Sequence, residues 1–129
     1  MELFDFKEGN GPVPAHKHIN GRGWVANTAY VSATAFVGPD VRVFGTAEVS
    51  DYARVFGYAR VFGNAWVSGS AWVSDNARVF GNAQVLGVSR VFSCARVFGS
   101  AEVSGNAWVS DNAWVFGYSQ VSDNARVFG

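Results

Sequence analysis

The sequence predicts an all-β protein, a parallel β-helix (β-solenoid) with a short N-terminal cap, and three observations carry that prediction. Valine recurs every six residues from Val25 to Val127 without a slip, which makes eighteen hexads of the form Val-x-Gly/Asp-x-Ala-x. Six suits neither a helix, which would scatter these valines around its axis, nor one continuous strand; it suits a short strand and a corner, repeated, as in a parallel β-helix. The residue two places after valine is Gly ten times and Asp four times, types suited to a corner that must reach positive φ.

Residues 1–23 lie outside the repeat. Glu2-Leu3-Phe4-Asp5-Phe6 alternates like a short strand, Gly9-Asn10-Gly11-Pro12 breaks it, and Pro14 to Gly23 leads into the array. An uncovered first coil would recruit other chains, so 1–23 is assigned as the capping segment and 24–129 as the β-helix. The cap holds the two histidines of the chain, His16 and His18, on either side of Lys17. On a strand they would share a face and could hold a metal with a third group. No third ligand is spaced nearby, so a polar loop without metal is expected.

Within the array, Ala59-Arg60-Val61-Phe62 sends Ala59 and Val61 inward and Arg60 and Phe62 outward, and Gly63-Asn64 turns the chain. Val41, Ser89 and Ser119 stand in place of the inward alanine, and Pro39 and Ser93 in place of the corner Gly or Asp. Burying valines at roughly 1.5 to 3 kcal/mol each gives tens of kcal/mol before chain entropy opposes it.

An aliphatic residue followed four places later by a small one, as in Val61 with Ala65 and Val79 with Ala83, resembles the motif of the hexapeptide-repeat left-handed parallel β-helices. The wording Asn-Ala-Arg-Val-Phe-Gly, at Asn76 to Gly81 and Asn124 to Gly129, looks most like the YdcK-type branch, described as predicted acyltransferases. The resemblance implies a single-stranded, left-handed, triangular solenoid of about six coils, each of three hexads. Residues one coil apart would then stack at about 4.8 Å. Handedness rests on the resemblance alone, because right-handed crossovers are the generic expectation. The resemblance also implies acyl transfer by a trimer, with a histidine base and acyl coenzyme A in clefts between prisms. The array has no histidine, so only His16 or His18 could be that base. Related carbonic anhydrases bind zinc through three histidines, whereas this chain has two.

Sorting outward residues by side gives three surfaces. On the first, Ala26, Phe44, Phe62, Phe80, Phe98 and Phe116 follow valine, and Trp24, Arg42, Arg60, Arg78, Arg96 and Trp114 precede it. An outward phenyl strip of this length implies an interface, and the arginines beside it would welcome carboxylates, phosphates or aromatic rings. The alternative is that the rings stack on one another and on arginine stems. The second side is solvated, with serines and the array's two glutamates, Glu48 and Glu102. The third alternates Phe36, Arg54, Trp72, Arg90, Trp108 and Arg126 beside Gly38, Phe56, Ser74, Phe92, Ser110 and Phe128. Guanidinium planes between indoles would satisfy that side internally, with recognition of a base or sugar ring as the alternative.

Ten basic and ten acidic residues give zero net charge, so nothing draws the chain toward long nucleic acid or an anionic membrane. The single cysteine, Cys94, excludes an internal disulfide and is expected to be a bystander. No apolar run reaches membrane-spanning length and no signal peptide is evident, so a cytoplasmic address is expected. The array stops at Phe128-Gly129 in mid-rule, which suggests an end-to-end contact or a longer array.

The reading that results is a non-catalytic structural or interaction solenoid without cofactor or metal. It would form a dimer or trimer, or bind a protein partner, through Phe44, Phe62, Phe80, Phe98, Phe116, Arg42, Arg60, Arg78, Arg96 and Trp114. Two alternatives stay open. One is the acyltransferase, and the other is capture of a small nucleotide-like anion by the arginines and phenyl rings.

Overall fold

In the computed structural model, which describes residues 2–7, 9 and 11–129, the hexads resolve into short strands joined by tight turns. Arg60–Val61 is a strand and Gly63-Asn64 the turn that follows it. Each strand pairs in parallel with the strand eighteen residues further on: Arg60 with Arg78, Trp66 with Gln84, and Trp72 with Arg90. Three hexads therefore complete one coil, and the array winds through about six of them. The strands of each side form one sheet, eight-stranded on the first side and six-stranded on the other two.

The corners explain why Gly and Asp recur. Asp51, Asp75, Asp111 and Asp123 hold φ of 58–59°, as does Ser93 at 58°, a left-handed conformation that costs most residues energy and glycine almost none. At Gly63 there is a second reason: a Cβ would stand 2.9 Å from the amide nitrogen of Gly81 one coil on. The carboxylates of Asp51 and Asp75 accept hydrogen bonds from the amides of Gly69 and Ser93, each at 3.1 Å, tying corner to corner.

The interior is a stack of valine and alanine. From Val37 through Val109 every repeat valine is fully buried, and Val41 is as buried as the alanines whose place it takes. Ser89 is also fully buried, and its hydroxyl donates to the carbonyl of Leu86 at 2.7 Å, which offsets the cost of a polar atom in an aliphatic core.

The cap is more structured than a loop. Strands β1 (Leu3–Phe4) and β2 (Val13–Lys17) form an antiparallel hairpin, and β2 pairs antiparallel with β3 (Trp24–Ala26), the first strand of the array. The lead-in around the histidines thus extends the first sheet by two strands. Of the expected break at Gly9 to Pro12, Asn10 lies outside the described residues. Residues 20–23 close over the third side: the amide of Val37 donates to the carbonyl of Asn20, and the amide of Gly23 donates to the carbonyl of Val37. A Cβ at Gly21 would fall 2.2 Å from the Val37 oxygen, so only glycine permits that approach. Among the described residues no helix is long and apolar enough to cross a membrane.

Candidate interaction surfaces

The first side brings its phenylalanines together as an unbroken stack. Ring centroids lie 4.8 Å apart from Phe44 to Phe62 and from Phe62 to Phe80, 4.9 Å from Phe80 to Phe98, and 5.3 Å from Phe98 to Phe116. The planes are within 10° of parallel throughout. The strand spacing sets that distance, because identical rotamers on successive coils superpose their rings at the inter-strand repeat. Ring faces are thereby used up within the molecule, and edges point outward.

One residue of the expected strip is not available. Phe44 is only 5% exposed, because Phe6 of the cap covers it at 5.0 Å. Phe4 stacks on Trp24 at 4.7 Å, and the guanidinium of Arg42 lies 4.7 Å over the Phe4 ring. The cap, not a partner, occupies the start of the strip. Phe4 ends β1 and Phe6 lies just beyond it, and their spacing of two was the readable signal. The remainder is half-buried at Phe62, Phe80 and Phe98 and open at Phe116, which is 53% exposed.

Beside the rings, Arg42, Arg60, Arg78 and Arg96 occupy register positions on adjacent strands. Burial lowers the pKa of Arg78 below the ordinary guanidinium value, and the charges of Arg96 and Arg60 lower it further. Arg42 is lowered chiefly by burial, with Asp40 opposing and Arg60 adding to the effect. The single ion pair among the described residues joins Lys7 to Asp5 at 3.7 Å, so among those residues no ladder arginine is in a salt bridge, and Asp40 acts on Arg42 without forming one. Arg96 lies 5.6 Å from the Trp114 ring. A groove of about 310 Å³ runs along this side, lined among others by Phe6, Lys7, Arg60, Phe62 and Arg78.

The Trp/Arg column of the third side satisfies itself as its composition suggested. The guanidinium of Arg90 sits 4.3 Å from the Trp72 ring and 5.6 Å from that of Trp108, and Arg126 sits 4.4 Å over Trp108. In the neighbouring column Phe56 meets Trp72 edge-on at 5.7 Å, and Phe92 meets Trp108 edge-on at 5.8 Å. Between Phe56 and Phe92 a cleft of about 300 Å³ opens over Ser74. The alternation of Phe with Gly or Ser in that column is the sequence signal by which the cleft could have been found.

The two histidines do not share a face. His16 is exposed and donates from Nδ1 to Oδ1 of Asn27 at 2.7 Å, whereas His18 is 4% exposed and donates from Nε2 to the carbonyl of Ala35 at 2.8 Å. The strand that would have kept them together ends at Lys17, and the chain then carries His18 inward. Among the described residues no group of three or more His, Cys, Asp or Glu could hold a metal. Cys94 is an exposed free thiol at a corner.

Comparison with known proteins adds one family. Residues 59–75 and 71–87 match the model of the YdcK β-solenoid repeat. No curated protein and no solved structure matches the chain.

Proposed function

We propose that this β-solenoid, in which residues 59–75 and 71–87 match the YdcK repeat, works without catalysis, as a rigid interaction module whose Phe/Arg side binds a carboxylate-bearing protein surface. The observation that carries this reading is the run Arg60, Arg78 and Arg96 on adjacent strands, none of them in an ion pair among the described residues. Like charges at one-strand spacing destabilise one another. A partner carboxylate would relieve that repulsion and gain charge-assisted hydrogen bonds, bidentate ones included. The phenyl edges supply an apolar border of the kind found at protein contacts. The histidines give acyl transfer little support, for one is buried on a carbonyl and the other is bonded to an amide rather than to an orienting carboxylate.

The test is affinity capture of acidic proteins from a lysate by the parent chain and by an Arg60→Ala/Arg78→Ala variant, followed by titration of the captured partner. Binding that falls at least tenfold in the variant, and falls also with rising salt, supports the reading. Binding that ignores both arginines sinks it.

A second reading is favoured by the groove in which Lys7, Arg60 and Arg78 stand beside Phe6 and Phe62: capture of a small anion with an aromatic ring. Calorimetry with ATP as the probe separates the two. Heat that disappears in the Arg60→Ala/Arg78→Ala variant favours the small ligand, and no heat with the parent protein ends that reading.

A further inference from the structure

We infer that the third side is a homodimer interface, in which two copies pack antiparallel about a two-fold axis lying midway between the levels of Ser74 and Phe92. The first side shows what a complete phenyl column looks like here, with rings 4.8 Å apart on successive coils. On the third side the equivalent column carries Phe56 and Phe92 with Ser74 between them, and Ser110 follows. Two strand spacings, roughly 9.6 Å, separate the two phenylalanines. Over Ser74, itself 8% exposed, lies the cleft of about 300 Å³ walled by Phe56, Phe92 and the Trp72 and Trp108 indoles.

What fills it must be a ring that arrives with a two-coil period, and this chain presents rings with that period. A two-fold axis perpendicular to the solenoid and lying in the interface reverses heights but leaves each column facing its own counterpart. With the axis midway between the Ser74 and Phe92 levels, Phe92 of each copy meets Ser74 of the other, and Phe56 meets Ser110. The adjacent column obeys the same parity. Arg90 of one copy comes level with Trp72 of the other, so cation faces indole across the contact as it does within each chain at 4.3 Å. Sliding one copy by a single coil would instead oppose Phe92 to Phe92 and Arg90 to Arg90, which selects the register. The face is one short strand wide, at the small end of specific interfaces, so the dimer dissociates in the micromolar range.

This inference is independent of the Phe/Arg side and is tested apart from it. Sedimentation velocity of the parent chain from 1 to 500 μM, as a roughly chosen range spanning micromolar dissociation, should show a concentration-dependent dimer. Ser74→Phe supplies the missing rung from the chain's own backbone and should raise the dissociation constant at least tenfold without lowering the melting temperature. Phe80→Ser, on the first side, should leave dimerisation unchanged. Ser74→Cys and Phe92→Cys, made on separate chains in a Cys94→Ser background and then mixed, should oxidise to a covalent dimer of the two chains whose peptide map joins position 74 to position 92. A parent that stays monomeric, a dimer indifferent to Ser74→Phe, a dimer dissolved by Phe80→Ser, or a map joining 74 to 74 each overturns it.

Discussion

Phe6 lies over Phe44 with ring centroids 5.0 Å apart and planes 24° from parallel. It is the capping segment's own contribution to the phenyl stack, and it is 2% exposed. Truncating it should cost about 3 kcal/mol, in the range for a buried phenylalanine. Phe6→Ala is therefore expected to lower the urea midpoint and to raise hydrogen exchange first in β1 and β2. A variant with unchanged stability would mean that the cap does not hold the first coil.

Phe80 sits between Phe62 and Phe98, whereas Phe116 stacks, among the described residues, on Phe98 alone. Two stacks at about 0.5–1.5 kcal/mol each predict a cost of roughly 1–3 kcal/mol for Phe80→Ser and about half that for Phe116→Ser. Both variants should still fold, since both rings lie outside the coil. Val79→Thr, which buries a hydroxyl in an aliphatic interior, should cost 1–3 kcal/mol by the usual magnitude, about as much as losing the central ring. Denaturant melts of the three decide the order.

Ser93 holds φ of 58° at a corner where the repeat otherwise favours glycine or aspartate. Ser93→Gly removes a Cβ from left-handed backbone and should stabilise by about 1 kcal/mol. Gly63→Ala should destabilise by at least that amount, because its Cβ would press on the Gly81 amide at 2.9 Å. Opposite shifts in melting temperature are the expected result.

Arg90 contacts the rings of both Trp72 and Trp108. Arg90→Met keeps an apolar stem and discards the cation, so a loss of about 0.5–1 kcal/mol per contact is expected. If the charge matters little, melts of parent and variant will coincide.

The β-solenoid was legible because one physical requirement, hiding valine and alanine at a short strand, repeats without interruption from Val25 onward. The corner conformation was legible for the same reason, in the recurrence of Gly and Asp. The cap's second strand was not, because Val13 to Lys17 forms a strand by pairing with β3, a tertiary contact that the strand's own residues do not announce. The same contact hid the fate of Phe44, which faces outward from its coil as expected yet is covered by a residue 38 positions earlier in the chain. His16 and His18 parted company because alternation holds only while a strand lasts.

The interior counts in hexads, but the third side counts in pairs of coils: Arg54, Arg90 and Arg126 recur at intervals of 36 residues, with Trp72 and Trp108 midway. Deleting residues 72–89 would leave every valine in phase while setting Arg54 against Arg90 and Phe56 against Phe92. Gene duplication or editing of this array is thus invisible to the core at one coil, but silent on the outside only in steps of two.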